Sequence, residues 1–252
     1  MSLVLYLFQL ADLEIQGVIT LDSDISRILE SWEYQPDTLI IRKINGEDGK
    51  EKIQIRVDLG ILQMETEGRP DGKALHNALS MLDYYESLMK ELKENEGGNF
   101  ILTEKDMEEL DDELMQYYHR RVCFFALGDY SRARKDAEHN LELMSIIKEH
   151  CLDEDYIESH ERFRPFVIME SARAAGLESV SVGDYAEAMK HVGNAINMIE
   201  KFYMERGFSE ERIRKSRELT ILRKWRSQIH QDWEGGITEM GDGKDGYNDQ
   251  EL

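Results

Sequence analysis

The sequence predicts a mainly α fold of α+β type. A small N-terminal β-hairpin precedes two long helical hairpins and a capping helix. Three observations predict it. Apolar residues alternate with a period of two between Lys52 and Ile61, then recur at helical spacing from about Leu75 onward. A Gly-Asp-Tyr-x-x-Ala turn occurs twice, at Gly128–Ala133 and Gly183–Ala188, 55 residues apart (128 and 183). The 252 residues include 11 Tyr, 8 Phe and 3 Trp, enough for a real core in one large domain or two small ones.

Residues 1–21 stand apart as an N-terminal extension. Its apolar run Ser2–Leu10 is about half of the ~20 residues that a membrane helix needs. No basic residue precedes the run, and Asp12 and Glu14 follow at once. It reads as a strand that pairs elsewhere, or as added non-native residues, rather than as a signal peptide.

A first region spans 22–100. Asp22-Ser23-Asp24 caps a short helix with Ile25, Ile28, Leu29 and Trp32 on one stripe, ended by Pro36 and Asp37. Thr38–Ile44 is β-branched, and NGEDGK is a turn cluster. Within Lys52–Glu65, Ile53, Ile55, Val57, Leu59 and Ile61 share one face, and Gln54, Arg56 and Asp58 share the other. This predicts a hairpin with one buried face. Gly60 marks a bulge or a close backbone approach. The GRPDG of Gly68–Gly72 is a turn with Pro second and Gly last. ALSMLDYYESLMKELK then forms a helix that NEGGN stops.

The second region, 101–232, is helical. Thr103-x-x-Asp106 resembles a capping box and opens a helix through about Ala126. Another runs from about Tyr130 to His150. A third covers about Asp155–Val180, with Pro165 kinking it or splitting it. Asp184-x-x-Glu187 caps a helix to about Glu205, Gly207 closes it, and Ser209 opens a final helix to about Gln231. The Gly- and Asp-rich segment 233–252 is predicted to be a disordered acidic tail.

The duplicated turn has a physical reading. Gly ends one helix in the left-handed conformation, Asp caps the next, and Tyr130 or Tyr185 fills the hairpin mouth. Ala133 or Ala188 lets the two helices approach closely. Gly-x-Tyr-x-x-Ala resembles the junction inside a tetratricopeptide repeat, although 55 residues replace the ~34 of that repeat. Asp129, Tyr130, Ala133 and Glu138 resemble the UVR motif, a helical hairpin through which repair proteins interact; Arg134 and Ala137 depart from it. Over about 22–230, the run Arg56-x-Asp58-Leu59-Gly60-x-x-Gln63-Met64-Glu65-x-x-Gly68-Arg69-Pro70-Asp71-Gly72 looks like a family of uncharacterised bacterial proteins. So do Tyr117–Arg121 and His160-Glu161-x-Phe163-Arg164-Pro165-Phe166. That family is described as UVR-domain or tetratricopeptide-like. The resemblance implies a tetratricopeptide-like array and a docking role.

Candidate sites are few. Arg56 and Asp58 lie two apart on one strand face, and Arg69 and Asp71 lie in the next turn. They suit a small anionic ligand held by arginine forks, or a strand-end salt bridge that fixes the turn. His150, Cys151, Asp153, Asp155 and His160 cluster, and His119 and Cys123 are one helical turn apart, but neither set has a zinc or calcium spacing. No Gly-x-Ser-x-Gly, phosphate-loop or dinucleotide motif occurs. No catalytic residue, metal or cofactor is assigned.

Charge is uneven. Acids number 52 against 31 bases, a formal net charge of −21, which argues against nucleic acid and anionic membrane as partners. Residues 86–113 hold eleven acids and three bases, whereas 205–230 hold four acids and eight bases. Arg212, Arg214, Arg217 and Arg223 in that basic stretch, with Tyr130 and Tyr185, are the candidate interaction residues. Two cysteines make no disulfide scaffold, so a reducing cytoplasm is the default. The leading expectation is a non-enzymatic protein-interaction module, with a homo-oligomer left open. The alternatives are an accessory factor in DNA repair or protein quality control, and a ligand-binding protein or enzyme at the β-hairpin and GRPDG region.

Overall fold

The computed structural model describes residues 24–95 and 98–241, with side chains described as far as Gly235. The extension 1–21, the caps at Asp22 and Ser23, and the tail from Asp242 lie outside the described residues. The described chain is mainly helical, with one three-stranded antiparallel sheet. It divides into two compact units, Met1–Ile40 with Arg56–Leu62, and Ile41–Ile55 with Gln63–Leu252. Among the described residues, no helix is long and apolar enough to cross a membrane.

The first unit holds helix α1 (Ser26–Glu30), where the Asp24 carboxylate accepts from the Ser26 N–H at 2.9 Å. Its expected apolar stripe is open, with Ile25 and Ile28 exposed. The sheet runs in the order β1 (Ile40–Asn45), β2 (Glu51–Val57), β3 (Gly60–Glu65). The segment Lys52–Glu65 is therefore two strands. The chain reverses at Asp58-Leu59, and Gly60 opens β3 instead of marking a bulge. Leu59, expected on the buried face, is 86% exposed because it sits in that reversal. The single buried face is also corrected. Ile53, Gln54, Ile55 and Arg56 are all buried, so both faces of β2 are covered.

The second unit carries α2 (Met81–Glu94), α3 (Glu104–Ala126), α4 (Tyr130–His150), α5 (Glu154–Glu161), α6 (Arg164–Ser181), α7 (Tyr185–Glu205), α8 (Glu210–Arg214) and α9 (Arg217–Gly241). Several starts have a chemical cause. Ser80 caps α2 by accepting from the Asp83 N–H. Residues before it stay out of the helix, with His76 and Asn77 at φ 51° and 59°. Thr103 and Asp106 form the full capping box of α3. Asp153 accepts from the N–H groups of Asp155 and Tyr156 at the head of α5. Pro165 splits its helix, and the proline sits in the first turn of α6, where its missing N–H costs nothing.

Both duplicated turns are Schellman motifs. Gly128 (φ 71°) donates to Phe125 O at 3.1 Å and Asp129 to Phe124 O at 2.8 Å; Gly183 (φ 79°) and Asp184 repeat this on Val180 and Ser179 at 2.9 Å each. Ala133 and Ala188 are fully buried. The two aspartates differ. Asp184 caps α7 by accepting from the Glu187 N–H, whereas Asp129 makes no cap. Its carboxylate instead takes Lys43 at 3.2 Å and Arg132.

The helices pack in series, α3 on α4, α4 on α6, α6 on α7, and α7 on α9. One apolar core joins Met81, Tyr85, Leu110, Leu143 and Ile147; a second joins Ile168, Val192, Ile199, Leu219 and Leu222. Gly176 on α6 admits the ring of Trp225, since a Cβ there would lie 2.6 Å from Trp225 Cη2. The expected final helix is two. It breaks at Lys215-Ser216, where Ser216 accepts from the Leu219 N–H at 3.4 Å, and α9 runs past Gln231 to Gly241. The first residues of the expected disordered tail are thus helical.

Candidate functional site

The most concentrated chemistry lies where the GRPDG turn meets α2, α3 and α4. The turn closes through the Gly72 N–H on Arg69 O at 2.9 Å, which brings the Arg69 and Asp71 side chains together. Arg69 forks onto Asp71 (Nε–Oδ1 3.1 Å, Nη2–Oδ2 3.0 Å) and donates from Nη1 to Glu113 Oε2 at 2.8 Å. All three nitrogens of its guanidinium are engaged. Glu113, on α3, is fully buried and accepts the Met81 N–H at 2.9 Å and the Leu82 N–H at 3.4 Å. Its charge therefore sits at the positive end of α2. His139 Nε2 lies 2.8 Å from Glu113 Oε1, and its ring stacks on Tyr117 with centroids 3.6 Å apart.

A second arginine closes the other side. Arg120 forks onto Asp136 (2.9 and 2.7 Å) and donates from Nη1 to Gly68 O at 2.7 Å and Glu65 O at 3.1 Å. Tyr117 donates its hydroxyl to the same Gly68 O at 3.1 Å. Gln116 both donates to Asp71 and accepts its N–H. Burial works against the Asp71 charge, yet hydrogen bonds from Arg69, the Lys73 N–H and Gln116 hold its carboxyl below the usual aspartate range. For Asp136, burial dominates and pushes the carboxyl up despite Arg120. Burial likewise pushes up the Tyr117 phenol and raises the Cys123 thiol to about 12. The arrangement is a closed lattice of charges that fastens residues 65–73 to α3 and α4.

Arg56 and Asp58 belong to the first unit, Arg69 and Asp71 to the second. Arg56 does not fork onto the Asp58 carboxylate. It donates to carbonyl oxygens of Trp32 (2.7 Å), Asp58 (3.0 Å), Gly60 (3.1 Å) and Val57. A guanidinium on a strand end next to a tight turn meets backbone acceptors first. Glu113, Asp136 and His139 were not expected from the sequence, and Arg120 stood out only within the Tyr117–Arg121 run, not as a site residue. Their signal is a charged residue on an apolar stripe, as Glu113 lies between Leu110, Leu114 and Tyr117 at helical spacing.

The buried Arg121 stays outside the lattice with unmet donors. Arg121 is 1% exposed, and its Nε and Nη1 have no hydrogen-bond partner. Its guanidinium lies near the rings of Tyr118 (5.3 Å) and Phe166 (5.7 Å). Burial works against its charge. Among the described residues, no group of three or more His, Cys, Asp or Glu is placed to hold a metal ion. His150 stacks on Phe100 at 3.9 Å, and Asp153 serves as a helix cap.

The interaction candidates lie elsewhere. Tyr130 and Tyr185 are half-buried at the two hairpin mouths, Tyr130 edge-on to Phe125 at 6.1 Å. Arg223 is spent on Glu200 at 2.5 Å and on Arg214 O at 3.2 Å. Arg212, Arg214 and Arg217 are exposed, and Arg212 lies 3.9 Å over the Phe208 ring. Arg212, Lys215 and Arg217 border an open groove of about 540 Å³ that Tyr203, Phe208, Glu211 and Glu218 also line. Comparison with protein-family models, with curated proteins and with solved structures finds no match to this chain.

Proposed function

We propose that this chain is a non-enzymatic protein-interaction module of tetratricopeptide-like build. The observation that carries this reading is the repeated hairpin. The α3–α4 and α6–α7 pairs share the same Schellman turn and the same buried alanine, and their helices pack in one series ending on α9. Units stacked in this way present continuous outer surfaces to a partner. The strongest polar contacts support the same reading, because they are turned inward. Arg69, Glu113, Arg120 and Asp136 bind one another and the backbone, which makes them scaffold. Outward, Tyr118 on α3 and Met198 and Met204 on α7 are exposed. Unbranched methionines adapt well to a docking surface.

The test is affinity capture of the full chain from native lysate, beside a variant carrying Tyr130→Ser and Tyr185→Ser that melts at the same temperature. The reading expects a partner at near-equal stoichiometry that the variant captures less well. No stoichiometric partner in any lysate condition would overturn it.

A further inference from the structure

We propose that the groove at the junction of α7, α8 and α9 is a docking site for a short acidic peptide segment carrying an aromatic side chain. The inference rests on the interaction reading and names the partner's chemistry. Arg212, Lys215 and Arg217 border the groove with Glu211 and Glu218; Lys215 pairs with Glu211 at 2.6 Å and Glu218 accepts from the Tyr203 hydroxyl at 3.3 Å, which leaves two arginines against one unpaired carboxylate. Among the described residues, neither Arg212 nor Arg217 has an ion-pair partner. Arg212 lies over the Phe208 ring, its guanidinium carbon 3.9 Å from the centroid, a contact that restricts the side chain before any ligand arrives. Such ordering lowers the entropy lost on binding.

The helix junction adds to the field. The break at Lys215-Ser216 starts α9, a 25-residue helix, beside Arg217, and the positive end of that helix opens beside the cations. Two aromatic rings line the groove among its polar side chains, those of Tyr203 and Phe208, 5.2 Å apart. A free inorganic anion would use the arginines alone, whereas an aromatic side chain flanked by carboxylates would use the arginines and the two rings. Charge also decides between macromolecules. The whole chain carries −21, which disfavours a long polyanion, whereas a short segment needs only the cations at the groove.

The experiment uses the full chain and fluorescence anisotropy at low and moderate salt. The probe is a labelled Glu-Asp-Phe-Glu-Asp peptide, beside its Gln-Asn-Phe-Gln-Asn counterpart and a single-stranded DNA octamer. The proposal expects saturable binding of the acidic peptide that weakens with salt. It expects affinity about tenfold or more lower for the neutral peptide, and the same loss for the Arg212→Glu, Arg217→Glu double variant. Both residues are exposed, and an unchanged melting curve shows that the variant is folded. A second variant, Phe208→Ser, should weaken the peptide while leaving its salt dependence in place. Equal binding of the neutral peptide, undiminished binding by the double variant, or DNA bound as tightly as the peptide would overturn the proposal. A chain that captures a stoichiometric partner yet ignores the acidic peptide retains the interaction reading and loses this one.

Discussion

Glu113 is the side chain on which the buried lattice turns, and its removal gives the sharpest test of the fold. The carboxylate is 0% exposed and serves Arg69, His139 and the first N–H groups of α2. Glu113→Ala strands the Arg69 guanidinium, 3% exposed, against a single remaining carboxylate. It also leaves the Met81 N–H, on a residue 0% exposed, with no acceptor. Breaking a buried ion pair costs about 3–5 kcal/mol, and each buried donor left unmet costs about 1–3 kcal/mol. These overlap, so the expected loss is about 3–5 kcal/mol, a large share of the roughly 5–15 kcal/mol that holds a domain folded. Urea unfolding followed by circular dichroism reads it as a lower midpoint at unchanged slope. The double variant Arg69→Met, Glu113→Met separates the causes. If the cost is a stranded charge, removing both partners restores part of the loss, and the coupling exceeds about 1 kcal/mol. A loss under about 1 kcal/mol for Glu113→Ala, or strict additivity in the pair, would refute the reasoning.

Three further outcomes follow from the same geometry. The Asp71 carboxyl is held below its ordinary value of 3.8, so its stabilisation is complete above that value and is lost as pH falls through the lower, folded one. Asp71→Asn should therefore be less stable at neutral pH and show a flatter fall below about pH 4 in acid titration of ellipticity. Arg121→Met removes a buried charge whose Nε and Nη1 are unpaired, and the melting temperature should stay level or rise; a loss above about 1.5 kcal/mol would show that the guanidinium has a partner. Gly176→Ala sets a Cβ against Trp225 and should cost about 1 kcal/mol net, yet in a Trp225→Ala background the same change should stabilise by about 0.5–1 kcal/mol.

The helical hairpins were legible because their turns are written in single residues. Glycine followed by aspartate ends one helix and starts the next, and both copies do so at the expected positions. The sheet was less legible. The alternation that marks β2 continues through Asp58-Leu59 into β3, so nothing in the apolar pattern announces the reversal. The break before α9 left a faint trace, since the buried positions skip from Ile213 to Leu219, six residues apart and out of step with a continuous helix. The polar lattice was hidden for a different reason. Charged residues are expected outside, and only the packing of two helices and a turn shows that Glu113 and Asp136 face arginines from other segments.

Among the described residues, the buried charges show how little of the acidic excess is absorbed by the core. Arg56, Arg69, Arg120 and Arg121 are buried, against Glu113, Asp136 and Glu161. The first arginine is met by carbonyls and the next two by carboxylates, while Arg121 keeps unpaired nitrogens. Four cations against three anions nearly cancel, so the interior removes almost nothing from the −21 of the whole chain. The acidic excess of the described residues therefore stays at their surface, where it repels anions. A basic groove on such a surface works by contrast. Moderate salt screens exposed charges beyond about 8–10 Å, so the side chains that line the groove decide what binds there. A ligand small enough to stay inside the groove meets Arg212 and Arg217, with Glu211 paired to Lys215, before the acids beyond the groove, and this limit on size is the physical basis for expecting a peptide segment there instead of a polymer.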